Sequence, residues 1–286
     1  MQPVRVMTFN IRGFRPYDGV NFWPERASLN VETIKRSVPD VIGLQECQRG
    51  NLLTYLAELG DYQWVLGQPG GVSTETDHTM LYNPMFWRAK RFDLLASGGI
   101  WLSETPEVWS KAWGSREVRT ATWVKLIEKQ TRAPWLFFNT HYDHVSFPAH
   151  IGSTRLILCM ADELGEEGGL PTIVLGDFNS NDPFPSPTNH HPDLSYQLFL
   201  EQSFQDTFLE AGNTDNKHTS TYHGFRGDEY IPAGDHMDRR IDWILMRGGR
   251  TPLRCTSTTI LRDAEPPRYP SDHYPVLADV VIESAG

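Results

Sequence analysis

The feature that most limits how this chain can fold is a set of short apolar runs that stop at ionisable or amide side chains. Val41-Ile42-Gly43-Leu44-Gln45 runs straight into Glu46, and Thr172 to Leu175 is tipped by Asp177 with Asn179 two residues on. Each run follows a helical pattern. Pro24 opens one, with Ala27, Val31 and Ile34 at i, i+4 and i+7, and Ser37-Val38-Pro39 stops it. Leu156, Ile157, Met160, Ala161 and Leu164 form the other apolar face, ended by Gly168-Gly169. Helix, strand, carboxylate thus recurs in both halves, a repeat that agrees with a layered α/β architecture.

The remaining pattern fits that frame. Val4 to Phe9 reads as a strand ending at Asn10, followed by a long loop from Ile11 to Phe22; Leu52 to Leu59 reads as a helix. Tyr62 to Leu66, Thr79 to Tyr82, Trp87 to Leu95 and Gly99 to Leu102 read as hairpin strands, and Ala121 to Ile127 with Trp135 to Thr140 as an antiparallel pair. A helix near Tyr196 to Phe204, a polar loop from Gly212 to Arg239, and strands Ile241 to Met246 and Val276 to Ile282 complete the chain. The proline-bearing stretch Asp182 to Pro192 reads as a surface loop, and no linker divides the chain. All 286 residues are expected in a single domain, 1–286.

Charge narrows the function. With 36 acidic against 26 basic residues and a net charge of -10, a basic surface that coats duplex nucleic acid is disfavoured. Twenty of the 26 basic residues are arginine, whose rigid fork suits specific anion contacts. Cys47, Cys159 and Cys255 lie far apart, consistent with a reducing compartment, and alternation should turn Cys47 away from Glu46 into the core. The start carries no basic and apolar leader, so the expectation is a cytoplasmic protein, although a trimmed signal peptide would leave the same start. No long apolar run predicts membrane insertion, and nothing calls for an obligate protein partner.

Chemistry-bearing residues gather at strand ends: Asn10, Glu46, His141, Asp177 with Asn179, Asp242, and Asp272 with His273. Asp272-His273 in a proline-braced turn has the chemistry of a metal ligand beside a general base, the other reading being a helix cap with a surface histidine. Asp242 stands inside an apolar strand and should be paired, an imidazole N–H being its natural partner. In Asn139-Thr140-His141-Tyr142-Asp143-His144, His141 and Asp143 should share one side and His144 the other, and a zinc site is disfavoured because no tetrahedral ligand set completes it. His78, His150, His190, His191, His218, His223 and His236 sit in polar contexts and read as solvated.

Taken in order, Thr8-Phe9-Asn10, Gly43-Leu44-Gln45-Glu46, Thr140-His141, Gly176-Asp177-Phe178-Asn179, Arg240-Ile241-Asp242 and Ser271-Asp272-His273 resemble the successive motifs of the endonuclease/exonuclease/phosphatase superfamily, across residues 4 to 282. The resemblance implies a four-layer α/β sandwich, with two packed mixed sheets flanked by helices and the site at one end of the strands. It implies a divalent-metal-dependent phosphoesterase using Mg²⁺ or Mn²⁺, with Glu46 the principal metal ligand and Asn10 and Asp272 nearby. His273 would be the general base oriented by Asp242. Asp177 and Asn179 would hold water and a phosphoryl oxygen, Asp177 could take a second metal, and His141 would donate to a phosphoryl oxygen or the leaving group. In metal-free protein, raised pKa values are expected among the crowded Glu46, Asp177 and Asp272, and metal should lower them.

Substrate choice is expected in the loops. Arg12, Trp23 and Arg26 in one loop and Arg119 in another are the candidate substrate contacts; Arg15, Trp109, Lys111, Trp113 and Arg116 neighbour them. The balance favours phosphodiester cleavage of a small molecule or short single-stranded nucleic acid. The alternatives are a phosphomonoester of a sugar or nucleotide and, furthest off, a non-catalytic scaffold.

Overall fold

The structure is a computed structural model that describes residues 2–71, 80–166, 168–180, 193–216, 218–230 and 240–283. Its strands are β1 (Val4–Asn10), β2 (Val41–Gln45), β3 (Tyr62–Val65), β4 (Met85–Arg88), β5 (Phe92–Trp101), β6 (Thr120–Glu128), β7 (Pro134–His141), β8 (Thr172–Asp177), β9 (Gln205–Asp206), β10 (Asp242–Arg247), β11 (Leu253–Ile260) and β12 (Val276–Ile282). The α-helices are α1 (Trp23–Ser37), α2 (Arg49–Glu58), α3 (Phe147–Leu164), α4 (Ser195–Glu201) and α5 (Thr207–Glu210).

Two mixed six-stranded sheets result, in the orders β11-β12-β1-β2-β4-β3 and β5-β6-β7-β8-β10-β9. Side-chain alternation divides the apolar residues into three layers. Val4 and Val6 of β1 face the second sheet and meet Phe137, Leu175 and Ile244, whereas Met7 and Phe9 face Val31, Ile34 and Tyr55 of α1 and α2. On the far side Phe138, Val174 and Trp243 meet Ile157 of α3 and Phe199 of α4. The result is a four-layer α/β sandwich.

The layer between the sheets changes character along the strands. The inward series on β1 is Val4, Val6, Thr8, Asn10; on β7 it is Trp135, Phe137, Asn139, His141; on β8 it is Ile173, Leu175, Asp177. Apolar side chains thus give way to a buried amide layer, in which Gln45 Nε2 donates to Asn139 Oδ1 at 2.6 Å and to Thr8 Oγ1 at 3.1 Å. Beyond that layer the ionisable residues begin. Pairing register sets them abreast: His141 lies opposite Asp177 in the parallel β7–β8 ladder, and Asp242 opposite Asp177 in the antiparallel β8–β10 ladder.

Three sequence expectations change. Trp87 to Leu95 is not one strand, because a turn after Arg88 sends β4 into one sheet and β5 into the other. At the crossing Arg91 binds Asp40 of one half and Glu128 of the other, the latter at 2.9 Å. Gly99 to Leu102 is no separate strand; Gly98 and Gly99 lie within β5, where a side chain at Gly98 would collide with the Trp123 ring at 2.7 Å. β11 went unread because its exposed side chains are Thr, Ser and Arg and only Leu253, Cys255 and Thr258 are buried. Thr79 and the loop 182–192 lie outside the described residues, and Leu81 and Tyr82 make only isolated bridges.

Candidate active site

A pocket of about 550 Å³ opens over the polar end of the inter-sheet layer. Its floor comes from five strand ends and the turn before β12. Asn10 closes β1, and its side-chain nitrogen donates to Glu46 Oε1 at 3.2 Å and Asp177 Oδ2 at 2.8 Å. Asn10 Oδ1 accepts the backbone N–H of Arg12 at 3.0 Å. Ser271 Oγ donates to the Asn10 carbonyl at 2.7 Å, which ties the Asp272-His273 turn to β1. Three residues lining the pocket have positive φ, Arg12 at 54°, Glu46 at 58° and Asn179 at 48°. Side chains seldom adopt this conformation; here each falls where a strand end turns its residue toward the pocket.

His273 is held from behind. Asp242 Oδ2 takes its Nδ1–H at 2.9 Å, leaving Nε2 aimed at the pocket, 3.8 Å from Asp177 Oδ2. Asn179 donates from Nδ2 to His141 Nε2 at 2.9 Å and to the Tyr142 carbonyl at 3.0 Å, so His141 Nε2 carries a lone pair in this arrangement.

Burial and charge set the protonation of this cluster. Burial and the neighbouring Asp242 push Asp177 up to about 7, against His273 and Asn10, which favour its anion. Burial raises Asp272 too, more than His273 and Arg12 lower it. Glu46 departs from expectation: burial would raise it, but Arg12, Arg15 and His273 together bring it below the usual carboxylate range. Burial opposes charge on His273, yet Asp242 and Asp177 outweigh it and lift the imidazole to about 10. Burial, Arg119 and His273 keep His141 neutral, well below its ordinary value.

The residues present fit a divalent cation. Glu46, Asp177 and Asp272 offer carboxylate oxygens at one floor, Asp177 holds its proton too tightly for an acid at ease, and oxygen donors suit Mg²⁺ or Mn²⁺. Asp177, Asp242 and His273 have ligand atoms within 4.8 Å of one another. Asp242 is turned toward His273 Nδ1, however, so the structure gives it the imidazole as its partner.

Arginines line the walls. Arg12 lies 3.4 Å from Asp272 and Arg15 3.9 Å from Glu46, while Arg119 reaches in from the segment before β6. Trp23 and Arg26 do not reach the pocket. Trp23 is buried in the core under α1. Arg26 is fully buried and donates to the carbonyls of Asn21, Pro270, Arg12 and Gly13, bracing the loop after β1 against the turn that carries His273. Trp109 packs edge-on against Trp101, and Trp113 covers Gly152 of α3, so neither tryptophan faces the pocket.

Among the lining residues that sequence reading missed are the polar and aromatic Tyr17, Glu117, His144 and Tyr222. Alternation misled at Asp143 and His144 because β7 ends at His141. Asp143 turns inward to accept the backbone N–H groups of Arg116, Glu117, Val145 and Ser146, and His144 faces the pocket. Two histidines expected in solvent are buried: His150 pairs with Asp193, and His223 stacks on Tyr274 at 4.0 Å. His78, His190, His191 and His236 lie outside the described residues.

Layers, floor and arginine-lined walls define a phosphoesterase-type α/β sandwich. The chain belongs to the Endonuclease/Exonuclease/phosphatase family, whose model matches residues 7–273. Among solved structures it is similar to an endonuclease/exonuclease/phosphatase from Bacteroides vulgatus, 30% identical with a TM-score of 0.82, covering 99% of this chain and 100% of that one. It is also similar to a mannosyl-6-phosphatase of Bacteroides thetaiotaomicron, 26% identical with a TM-score of 0.80, covering 98% and 100%. An uncharacterised protein of Acanthamoeba polyphaga mimivirus is 27% identical over 194 residues, 63% of this chain and 68% of that protein. No helix among the described residues is long and apolar enough to cross a membrane.

Proposed function

We propose that the protein is a divalent-cation-dependent phosphomonoesterase acting on a small phosphorylated molecule. The observation that carries this reading is the set of three guanidinium groups, Arg12, Arg15 and Arg119, lining the same pocket as the carboxylate and histidine floor. A monoester dianion carries about twice the charge of a diester monoanion, so it gains more from several cations in one concave site. About 550 Å³ suits a phosphorylated sugar or a single nucleotide. The Bacteroides relative named for mannosyl-6-phosphate supports the monoester over the diester favoured by the sequence alone.

Glu46, Asp272 and Asp177 would hold the cation, with Asn10 fixing the two carboxylates it touches. When bound, the cation would neutralise phosphoryl oxygens and lower the pKa of water. His273, with Nδ1–H committed to Asp242, would take the water proton at Nε2. Offsetting the negative charge of Asp177 would bring the imidazole down from about 10 toward the range where it acts as a base. Arg12 and Arg15, beside Asp272 and Glu46, would orient the phosphate, Arg119 would add positive charge from the wall, and Asn179 would hold an oxygen of the reacting group.

Hydrolysis of p-nitrophenyl phosphate and bis-p-nitrophenyl phosphate, each with Mg²⁺, Mn²⁺ or chelator, tests the proposal with His273→Ala as control. Expected are cation-dependent turnover, preference for the monoester and loss in the variant. Turnover that survives chelation, or preference for the diester, would overturn it.

A further inference from the structure

One wall of the pocket differs in chemistry from the rest. Arg119 is 7% exposed, and its Nε has no hydrogen-bond partner. Its Nη2 donates to His144 Nδ1 at 3.0 Å and lies 3.5 Å from Glu117 Oε2. Arginine can only donate, so His144 Nδ1 accepts and the ring proton sits on Nε2. The wall therefore offers donors from a guanidinium and an imidazole beside one carboxylate acceptor. Asp143 sets its shape: its carboxylate takes the backbone N–H groups of Arg116 and Glu117 from one side and of Val145 and Ser146 from the other, joining the two segments that carry these three side chains.

Such a mixed wall is poorly suited to a second phosphate, because Glu117 would repel it. It is equally unsuited to a bare aromatic leaving group, which would cover the carboxylate, the unpartnered Arg119 Nε and the His144 ring N–H without offering them a hydrogen bond. Neighbouring hydroxyls satisfy it, since a hydroxyl both donates and accepts: one gives its proton to Glu117, and the next receives from Arg119 or His144. Tyr17 and Tyr222 also line the pocket and offer ring surface to the C–H face of a sugar. Accordingly we propose that Glu117, Arg119 and His144 form a subsite that reads vicinal hydroxyls of the leaving group, making the substrate a phosphorylated sugar; this rests on the phosphomonoesterase reading above.

The test compares glucose 6-phosphate, mannose 6-phosphate, adenosine 5′-monophosphate and p-nitrophenyl phosphate in the parent and in Glu117→Gln and His144→Asn. In the parent a hexose phosphate should have the highest kcat/KM. In each variant, the ratio of kcat/KM for that hexose phosphate to kcat/KM for p-nitrophenyl phosphate should fall at least tenfold. Inhibition by the free hexose should weaken by a similar factor, a readout independent of turnover. Equal losses on all four substrates would overturn the subsite, and a parent that prefers the nucleotide, whose ribose also carries vicinal hydroxyls, would overturn the assignment to a phosphorylated sugar; both leave the phosphomonoesterase intact. Failure of the parent to turn over even p-nitrophenyl phosphate with cation would overturn the underlying reading, and the subsite with it.

Discussion

His273 shows how far a single side chain depends on its neighbours here. Its ordinary imidazole would titrate near neutrality, but Asp242 at 2.9 Å and Asp177 at 3.8 Å hold a proton on it to about pH 10. Replacing it with alanine should lower kcat by about 10²–10⁴-fold, measured at saturating substrate and cation. Asp177 is raised in the folded protein from 3.8 to about 7, so its contribution to stability is greatest below its unfolded value and is lost as pH rises toward 7. Asp177→Asn removes that loss. Its stability advantage over the parent, measured with chelator by urea unfolding, should grow between pH 4 and pH 7; a difference independent of pH would count against the assignment.

His223 runs the other way. Burial, His273 and Arg262 lower it from 6.5 to about 3, so it stays neutral in the fold and its contribution is lost as pH falls from 6.5 toward 3. His223→Phe keeps a ring against Tyr274 and should flatten the acid side of the stability profile between pH 6 and pH 4. An acid limb as steep as the parent's would show that other groups govern it.

At the scale of elements, two glycines beside the site permit close approaches, Gly43 between the sheets and Gly176 between neighbouring strands of one sheet. A β-carbon at Gly43 of β2 would lie 2.2 Å from Leu175 Cδ1, a side-chain tip. At Gly176 of β8 it would lie 2.1 Å from the Thr140 carbonyl oxygen, where backbone cannot give way without breaking the β7–β8 ladder. Gly176→Ala should therefore destabilise by about 3 kcal/mol and more than Gly43→Ala does, as read by denaturant midpoint. It should also shift His141 against Asp177 and reduce turnover. A smaller cost at Gly176 than at Gly43 would refute the ordering. The glycines of both motifs were visible in the sequence, but their reason, the nearness of the other strand, was not.

Across the whole molecule the floor is a concentration of buried like charges that the folded chain holds in place without balancing fully. A cation that binds only this arrangement stabilises it by mass action, by about 2.7 kcal/mol at a concentration one hundred times its dissociation constant. Saturating Mg²⁺ or Mn²⁺ should raise Tm by several degrees in the parent and by almost nothing in Glu46→Gln. An equal rise in both would place the cation elsewhere.

The order of helices and strands and the residues of the floor were legible in the sequence, because side-chain alternation is local: Val4, Val6, Thr8 and Asn10 must share a face wherever β1 lies. The same locality explains the failures. Trp87 to Leu95 has one continuous pattern, yet the ion pairs of Arg91 with Asp40 and Glu128 bend it between sheets, and those partners are distant in the chain. Trp23 and Arg26 sit in the sequence beside Arg12 and Arg15, but helix α1 turns them inward, where Arg26 meets Pro270. Glu117 and His144 carry no periodic signal and reach the pocket only because Asp143 binds both of their segments. The sequence by itself determined which strand ends carry buried ionisable and amide side chains, since burial of a periodic face is a property of neighbouring residues. The tertiary structure decided which loops wall the pocket, since that depends on contacts between segments far apart in the chain.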